Sequence, residues 1–537
     1  MSASELRDPR GSVTTVRVAD VLVLGGGPAG VWAALTAAEQ GAKVVLAEKG
    51  LVGTGGATAA GNTTTVHAAP NSPEREAAVK RRLALAHELA DRKWIERVVD
   101  QAYVNLNALA EWGYPFPNDE RGASYRGSLR GADYLRFMRG RLRRAGVEIL
   151  DQSPALELLL GEGAVAGASG INRLTGKPWT VRSGAVVIAT GGCAFLSKAL
   201  GTNGLTGDGL LLAAEAGATF SGMELTGQYG IAPAFSSVTK GIMYFWATFS
   251  DRDGNVLERE GDRQSLVARH LLNGPVYAVI DKASPHVQEG MRRGQPNMFL
   301  AFDRKCIDPF RQRFEVTLRY EGTVRGVGGL AIDEACATTV PGLFAAGDAA
   351  SRENMVGATS GGGGPNATWA MASGVWSGRS AADFARSIGH AQARRTIAAL
   401  GRTGLRPSEK PDMAITAADL IAAVQQEILP VGKTFFRSEA TLRAAQVRLD
   451  SAWNSARAHL YAQPAPAAEI VRAREAAAMI ATARWLVASA IARRETRGLN
   501  RRLDFPQADP AQAYRLHTGG LDQVCVRQAT PARALAS

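Results

Sequence analysis

Cysteine is scarce in this chain: four residues in 537, at Cys193, Cys306, Cys336 and Cys525, far apart and with no Cys-x-x-Cys pair. That spacing excludes an iron–sulfur ligand set, a haem attachment motif and a zinc pattern, so no metal site is expected and any redox chemistry lacks a metal relay within the chain. Long apolar runs are missing too. None approaches the ~20 residues that span a bilayer, and the stretch Met1–Arg17 has no apolar centre of the signal-peptide kind. The expectation is a cytoplasmic protein with no direct membrane span. Acidic residues are in deficit, 50 against 62 basic, for a net charge of +12. The excess lies on arginine-rich helical stretches such as Arg136–Arg144 and Arg493–Arg502. These are dispersed and come with no nucleic-acid motif, so they read as solvated helix faces or as attraction for an acidic protein or an anionic substrate, with no nucleic-acid partner expected. Repeats and low-complexity tracts are also absent.

What is present is a globular composition, 46% hydrophobic and 21% charged, with mean hydropathy −0.08 and a length that predicts two to four domains. Its most informative stretch is Val21-Leu22-Val23-Leu24-Gly25-Gly26-Gly27-Pro28-Ala29-Gly30. An apolar strand runs into a glycine turn, and a helix opens at Val31. A second strand, Lys43–Ala47, ends at Glu48. In a dinucleotide-binding unit Gly25 allows the tight turn, Gly27 lets the backbone approach a pyrophosphate and Gly30 lets helix and strand pack closely. The helix N-terminus offers free N–H groups to the phosphates, and Glu48 is placed to accept hydrogen bonds from ribose hydroxyls.

Further along, Gly53–Asn62 is too small and flexible for a core helix and is expected to pass close to a ligand. Residues 75–112 and 132–146 carry helical spacing, and 147–150 and 164–168 read as strands. Ala185–Gly192 is a buried strand entering a glycine turn, where a doubly wound sheet returns to its cofactor. Residues 210–330 change character, with more aromatics and turns. Gly342–Asp348 is another short buried strand, followed by glycines at Gly357 and Gly361–Gly364 and a helix over 366–386. Residues 391–415 read as a linker and 416–497 as an alanine-rich helical bundle. The fold expected is α/β: a doubly wound dinucleotide-binding domain in two parts (18–210 and 331–390), an inserted α+β capping or substrate domain (211–330), a C-terminal helical domain (391–505) and an irregular tail (506–537).

These landmarks, in this order, resemble the flavoproteins of the fumarate reductase, succinate dehydrogenase, aspartate oxidase and adenylylsulfate reductase superfamily. The marks are Gly25–Gly30 with Glu48, the loop 53–62, Ala189-Thr190-Gly191-Gly192, Thr206-Gly207-Asp208-Gly209, Gly347-Asp348, and Arg494-Glu495-Thr496-Arg497-Gly498 with Asp504-Phe505-Pro506. The resemblance implies a glutathione-reductase-like FAD domain and FAD as the bound dinucleotide. It places the cofactor against Gly25, Gly27, Pro28, Ala29, Gly30, Glu48, Lys49, Thr54, Gly55, Gly56, Ala57, Asn62, Ala189, Thr190, Gly191, Asp208, Gly347, Asp348, Asn366 and Ala367. Asp208 and Asp348 are expected at the ribityl hydroxyls, and the helix opening at Asn366 against the isoalloxazine carbonyls, where its dipole favours reduction.

Departures from the family pattern bear on the reaction. Gly56 stands where succinate-type members attach FAD through histidine, so non-covalent FAD is expected. Histidines that hold a dicarboxylate are missing from Met223–Tyr229 and from Thr323–Val327, where Arg325 stands instead; succinate and fumarate are not the expected substrates. Gly56, Gly241–Phe249 and Asn273–Tyr277 look closer to the adenylylsulfate reductase flavoprotein, whose partner is a ferredoxin-like iron–sulfur protein.

The resemblance implies a hydride exchange at the flavin assisted by an arginine. Arg263 fits that role by spacing and Arg269, with His270, is the second choice. Arg325 can clamp a carboxylate, sulfonate or phosphate with its planar fork, and Tyr229 and Trp246 could line the substrate side. The leading expectation is an FAD-dependent oxidoreductase acting on a small polar or anionic substrate and coupled to a separate ferredoxin-type carrier. An oxidase resembling aspartate oxidase, and an FAD-binding protein for electron transfer or assembly without its own turnover, remain the alternatives.

Overall fold

The computed structural model describes residues 4–7, 13–119, 121–239, 241–258, 261–360, 363–389, 395–412, 414–461 and 465–529. Its central sheet begins where the sequence is most apolar. Strand Val13–Leu24 pairs in parallel with Val44–Ala47 on one side and with Pro178–Ile188 on the other. Glu148–Leu150 extends the first edge, and Leu343–Ala345 joins Val186–Ile188 in parallel. Residues Val21–Leu24 and Val44–Ala47 are all buried, as expected of parallel strands covered on both faces. Helix Pro28–Glu39 and the long helix Gly363–Ile388 pack against each other and against this sheet. A hairpin of Ala155–Gly161 and Ala164–Ile171 completes the sheet, and Ala398–Ala399 adds a short strand to its edge. The segment read as a linker thus contributes a strand to the sheet. Of the glycine cluster 361–364, Gly361 and Gly362 lie outside the described residues.

The inserted unit carries an antiparallel sheet of its own, ordered Tyr229–Pro233, Phe314–Tyr320, Val276–Val279 and Thr248–Ser250. Beyond it, helices Ala417–Ile428, Glu439–His459 and Ala467–Ala492 form the C-terminal bundle. Thr416 and Ser438 open the first two, each accepting a backbone N–H of the first turn. Ala467–Ala492 is long and apolar enough to cross a membrane by length and composition, which corrects the reading that no run approaches that length. Its apolar window is 83% buried inside the fold, so here it is a core helix.

The tail is not irregular. Leu516–Gly519 and Cys525–Gln528 form a hairpin, and the first of these strands pairs with Phe220–Ser221. Together with Gly329–Leu330 they make a four-stranded sheet that ties the C-terminus to both ends of the inserted unit. The alternation in Leu516–Gly519, with Leu516 and Thr518 buried, is too short to stand out in the sequence.

Candidate functional site

A cavity of about 500 Å³ follows the carboxyl ends of the parallel strands, where open α/β sheets bind ligands. Gly25 (φ +107°) turns the chain out of the first strand, and a Cβ at Gly30 would sit 1.8 Å from the Gly25 carbonyl oxygen. Gly30 therefore sets the approach of helix to strand rather than touching the ligand. Gly27 is the N-cap of Pro28–Glu39 with no side-chain capping bond, and a Cβ there would meet nothing within 4 Å. With Gly27, Pro28 and Ala29 lining the cavity, the helix N-terminus borders it, as pyrophosphate binding requires. Glu48 accepts from the Gly26 and Gly50 N–H groups at 2.6 and 2.8 Å, which fixes its carboxylate at the strand end with lone pairs to spare for ribose.

Of the residues predicted for the cofactor, all but Gly30 and Thr54 line this cavity. Thr54 instead folds onto the Leu51 carbonyl in the turn after the second strand. Asn366 and Ala367 enter from the first turns of the long helix, and the Asn366 Oδ1 is buried without a partner, an acceptor left for a ligand donor. An open phosphate cradle, a ribose acceptor and an orphaned amide oxygen fit FAD.

The two aspartates expected together at the ribityl chain are separated. Asp208 Oδ2 accepts from Lys49 Nζ at 2.7 Å and its Oδ1 from Thr206 at 2.7 Å, placing it next to the Glu48–Lys49 strand end. Asp348 is paired with buried Arg352 at the other end. Burial raises the Asp348 pKa, while Arg352 and Arg325 act against that rise. Lys49 is raised as well: burial opposes its charge, but the carboxylates of Asp208 and Glu475 outweigh it.

Of the residues predicted for chemistry, only Arg325 reaches the cavity. It ends the short helix Gly322–Arg325, with its side chain 22% exposed. One nitrogen, Nη1, donates to buried Glu321 and to Thr239 Oγ1. Arg352, 1% exposed, holds the carbonyls of Thr323, Val324 and Gly326 and so fixes the backbone that presents Arg325.

Arg263, Arg269, His270, Tyr229 and Trp246 do not line the cavity. Arg263, Arg269 and His270 lie on helix Arg263–Leu271, which buries Leu266, Val267 and Ala268 instead. The Arg263 guanidinium lies 3.6 Å from the Phe245 ring centroid, and Arg269 is exposed. Tyr229 is core: its ring packs on Tyr320 and Phe435, its hydroxyl meets Thr434, and burial pushes its phenol pKa up. Trp246 ends a 3₁₀ turn beside Phe245, half-buried.

The sequence reading missed other lining residues, among them Thr58, Thr63, Pro154, Ala155, Arg173, Asn203, Arg472 and Glu475. Ala155 had no local cue: its strand follows Ser153, whose N–H bonds the Glu48 carbonyl, a contact between segments about a hundred residues apart that only the fold makes. Arg472 and Glu475 had none, because they arrive on the C-terminal helix.

Residues 20–229 match the family model of the FAD binding domain, and 425–522 that of the fumarate reductase flavoprotein C-terminus. The chain belongs to the fumarate reductase/succinate dehydrogenase flavoprotein superfamily. It is an FAD-dependent oxidoreductase. A fumarate reductase (CoM/CoB) polypeptide of Methanothermobacter marburgensis is 26% identical over 91% of this flavoprotein and 95% of its own length. Among solved structures, a mutated form of E. coli quinol fumarate reductase FrdA superposes with TM-score 0.80 at 19% identity, covering 97% of this chain and 98% of that one. The adenylylsulfate reductase of Archaeoglobus fulgidus gives 0.77 at 18%, covering 100% and 99%. At these identities the structural likeness shows the fold.

Proposed function

We propose that this flavoprotein holds FAD non-covalently, binds a small anionic substrate at the flavin through Arg325, and exchanges electrons with a separate iron–sulfur protein of the ferredoxin type. Arg325 carries the reading. It lines the cavity beside Asn62, Thr63 and Asn366, and only one of its nitrogens is engaged by described residues. Its remaining N–H groups suit an oxyanion. Bound FAD supplies two-electron hydride chemistry. The protein's part is to seat the cofactor by backbone N–H groups and to orient the anion with Arg325, while Glu321 and Thr239 hold the guanidinium in place.

Non-covalent binding is supported by Gly56, which lines the cavity where a tethering histidine would stand; no histidine is among the described lining residues. A separate electron carrier is supported by the spacing of the four cysteines, which makes no cluster motif. It is supported also by the Methanothermobacter relative, which is one component of a fumarate reductase. Location in the cytoplasm is part of the same proposal.

The test is a titration of the oxidised protein with small carboxylates, sulfonates and sulfite, read as a perturbation of the flavin spectrum. Arg325→Gln should weaken anion binding roughly 10- to 100-fold, the loss of one or two charge-assisted hydrogen bonds, and leave FAD content unchanged. Anion binding that ignores the substitution sinks the assignment. Acid precipitation should leave the yellow colour in the supernatant, and reduced ferredoxin should bleach the flavin anaerobically.

A further inference from the structure

We infer that Glu475, on the C-terminal helix Ala467–Ala492, latches FAD into its domain by holding Lys49 across the adenosine half of the cofactor cavity. Lys49 directly follows Glu48, the ribose acceptor. Its Nζ lies 2.7 Å from Asp208 Oδ2 and 2.7 Å from Glu475 Oε1, and donates to Thr206 Oγ1 at 2.9 Å. The side chains of Lys49, Asp208 and Glu475 are only 16, 20 and 13% exposed. The other Glu475 oxygen takes Arg472 Nη1 at 3.1 Å. Two cations and two anions close into a neutral cluster, and all four residues line the cavity.

The three segments that meet here are remote in sequence: the end of the second strand, the start of helix Asp208–Glu215 and the early turns of the C-terminal helix. The adenosine half of the cavity opens between the first and the last of them. A largely buried ammonium with one of its carboxylates removed is poorly compensated, so the Lys49–Glu475 pair resists the separation through which adenosine leaves. The helix has its own anchor: Arg474, 5% exposed, grips both oxygens of Glu215, 2% exposed. Neutralising Glu475 therefore opens the latch without undocking the helix.

The experiment compares wild type, Glu475→Gln and, as a control on an exposed position of the same helix, Glu469→Gln. FAD release into excess apo-flavoprotein scavenger is followed by fluorescence, and melting temperatures are taken with and without FAD. Glu475→Gln should release FAD about tenfold faster, with the FAD-induced rise in melting temperature reduced; Glu469→Gln should match wild type. Wild-type release from Glu475→Gln overturns the inference. So does an equal fall in apo and holo melting with the FAD-induced rise intact, which marks Glu475 as merely structural. Hydrogen exchange on the wild-type chain adds a readout that needs no variant: FAD should protect amides 470–480, and equal exchange in apo and holo protein refutes the latch.

Discussion

At its phosphate end the cofactor cavity is built from backbone that is nearly continuous in sequence, Gly25 through Gly30 with Glu48 close behind. At its substrate end it is built from side chains: Arg325, held by Glu321 four residues before it and by the distant Thr239, with the segment behind it held by Arg352. The first end is specified by what each residue permits its own backbone to do. The second adds to two local charge pairs, Arg325–Glu321 and Arg352–Asp348, the contacts to Thr239 and to the carbonyls of Thr323, Val324 and Gly326 that exist only once the sheet and the inserted unit have packed together. A local construction tolerates little change in place, whereas a distributed one can be weakened a partner at a time.

The sharpest way to break this comparison is at Gly30. Gly30→Val forces atoms into the Gly25 carbonyl, so FAD binding should be lost outright, with overpacking costing about 1–3 kcal/mol or more of stability; a yellow, stable Gly30→Val protein would show that the turn is not the determinant. Next is Arg352→Met. It leaves Asp348 without its buried partner and three carbonyls without a donor, and breaking a buried pair costs about 3–5 kcal/mol. Urea unfolding of the holoprotein should show that loss, with anion affinity falling in any variant that remains folded.

A smaller, pH-dependent effect belongs to Glu353, the neighbour of Arg352. Burial and the carboxylate of Glu224 raise its pKa to about 7, against the hydrogen bond from Ser221 and the charges of Arg515 and Arg493. One oxygen on each glutamate is buried without a partner. Because the folded-state pKa lies above the unfolded one, the protonated carboxyl stabilises the fold fully below the unfolded value near 4.5, and that contribution fades as pH rises through about 7. Relative to wild type, Glu353→Gln should gain stability between pH 5 and pH 8, seen as a shift in urea midpoint; a difference that stays flat with pH would show that Glu353 does not titrate in this range. The smallest effect is expected from Arg263→Ala, within about 0.5 kcal/mol in stability and without change in FAD content or anion binding. A large loss there would restore the arginine that the sequence pattern favoured.

How much of the site was legible follows the same division. The glycine fingerprint, Glu48, Gly56 and the Gly347-Asp348 turn were readable because their chemistry is one of local backbone: turn geometry, absence of a Cβ, a carboxylate at a strand end. Choosing among arginines was not. Arg263, Arg269 and Arg325 look alike in a sequence, and only the burial of Leu266–Ala268 turns the first two away while Glu321 and Thr239 hold the third at the cavity. Tyr229 was misread for a related reason, since an aromatic on a strand fits a core or a pocket equally well until its neighbours are known.

The sequence by itself determined the doubly wound half and the dinucleotide turn, because strand, turn and helix propensities act over a few residues, while FAD as the dinucleotide came from the resemblance to the flavoprotein superfamily. Tertiary structure alone decided that Asp208 and Asp348 serve opposite ends of the cavity. It alone decided that the last strands, Leu516–Gly519 and Cys525–Gln528, stitch the C-terminus to Phe220–Ser221, and that Glu475 meets Lys49 across more than four hundred residues of chain. Charge pairing and sheet addition act through space, and no local pattern records which distant residue will arrive.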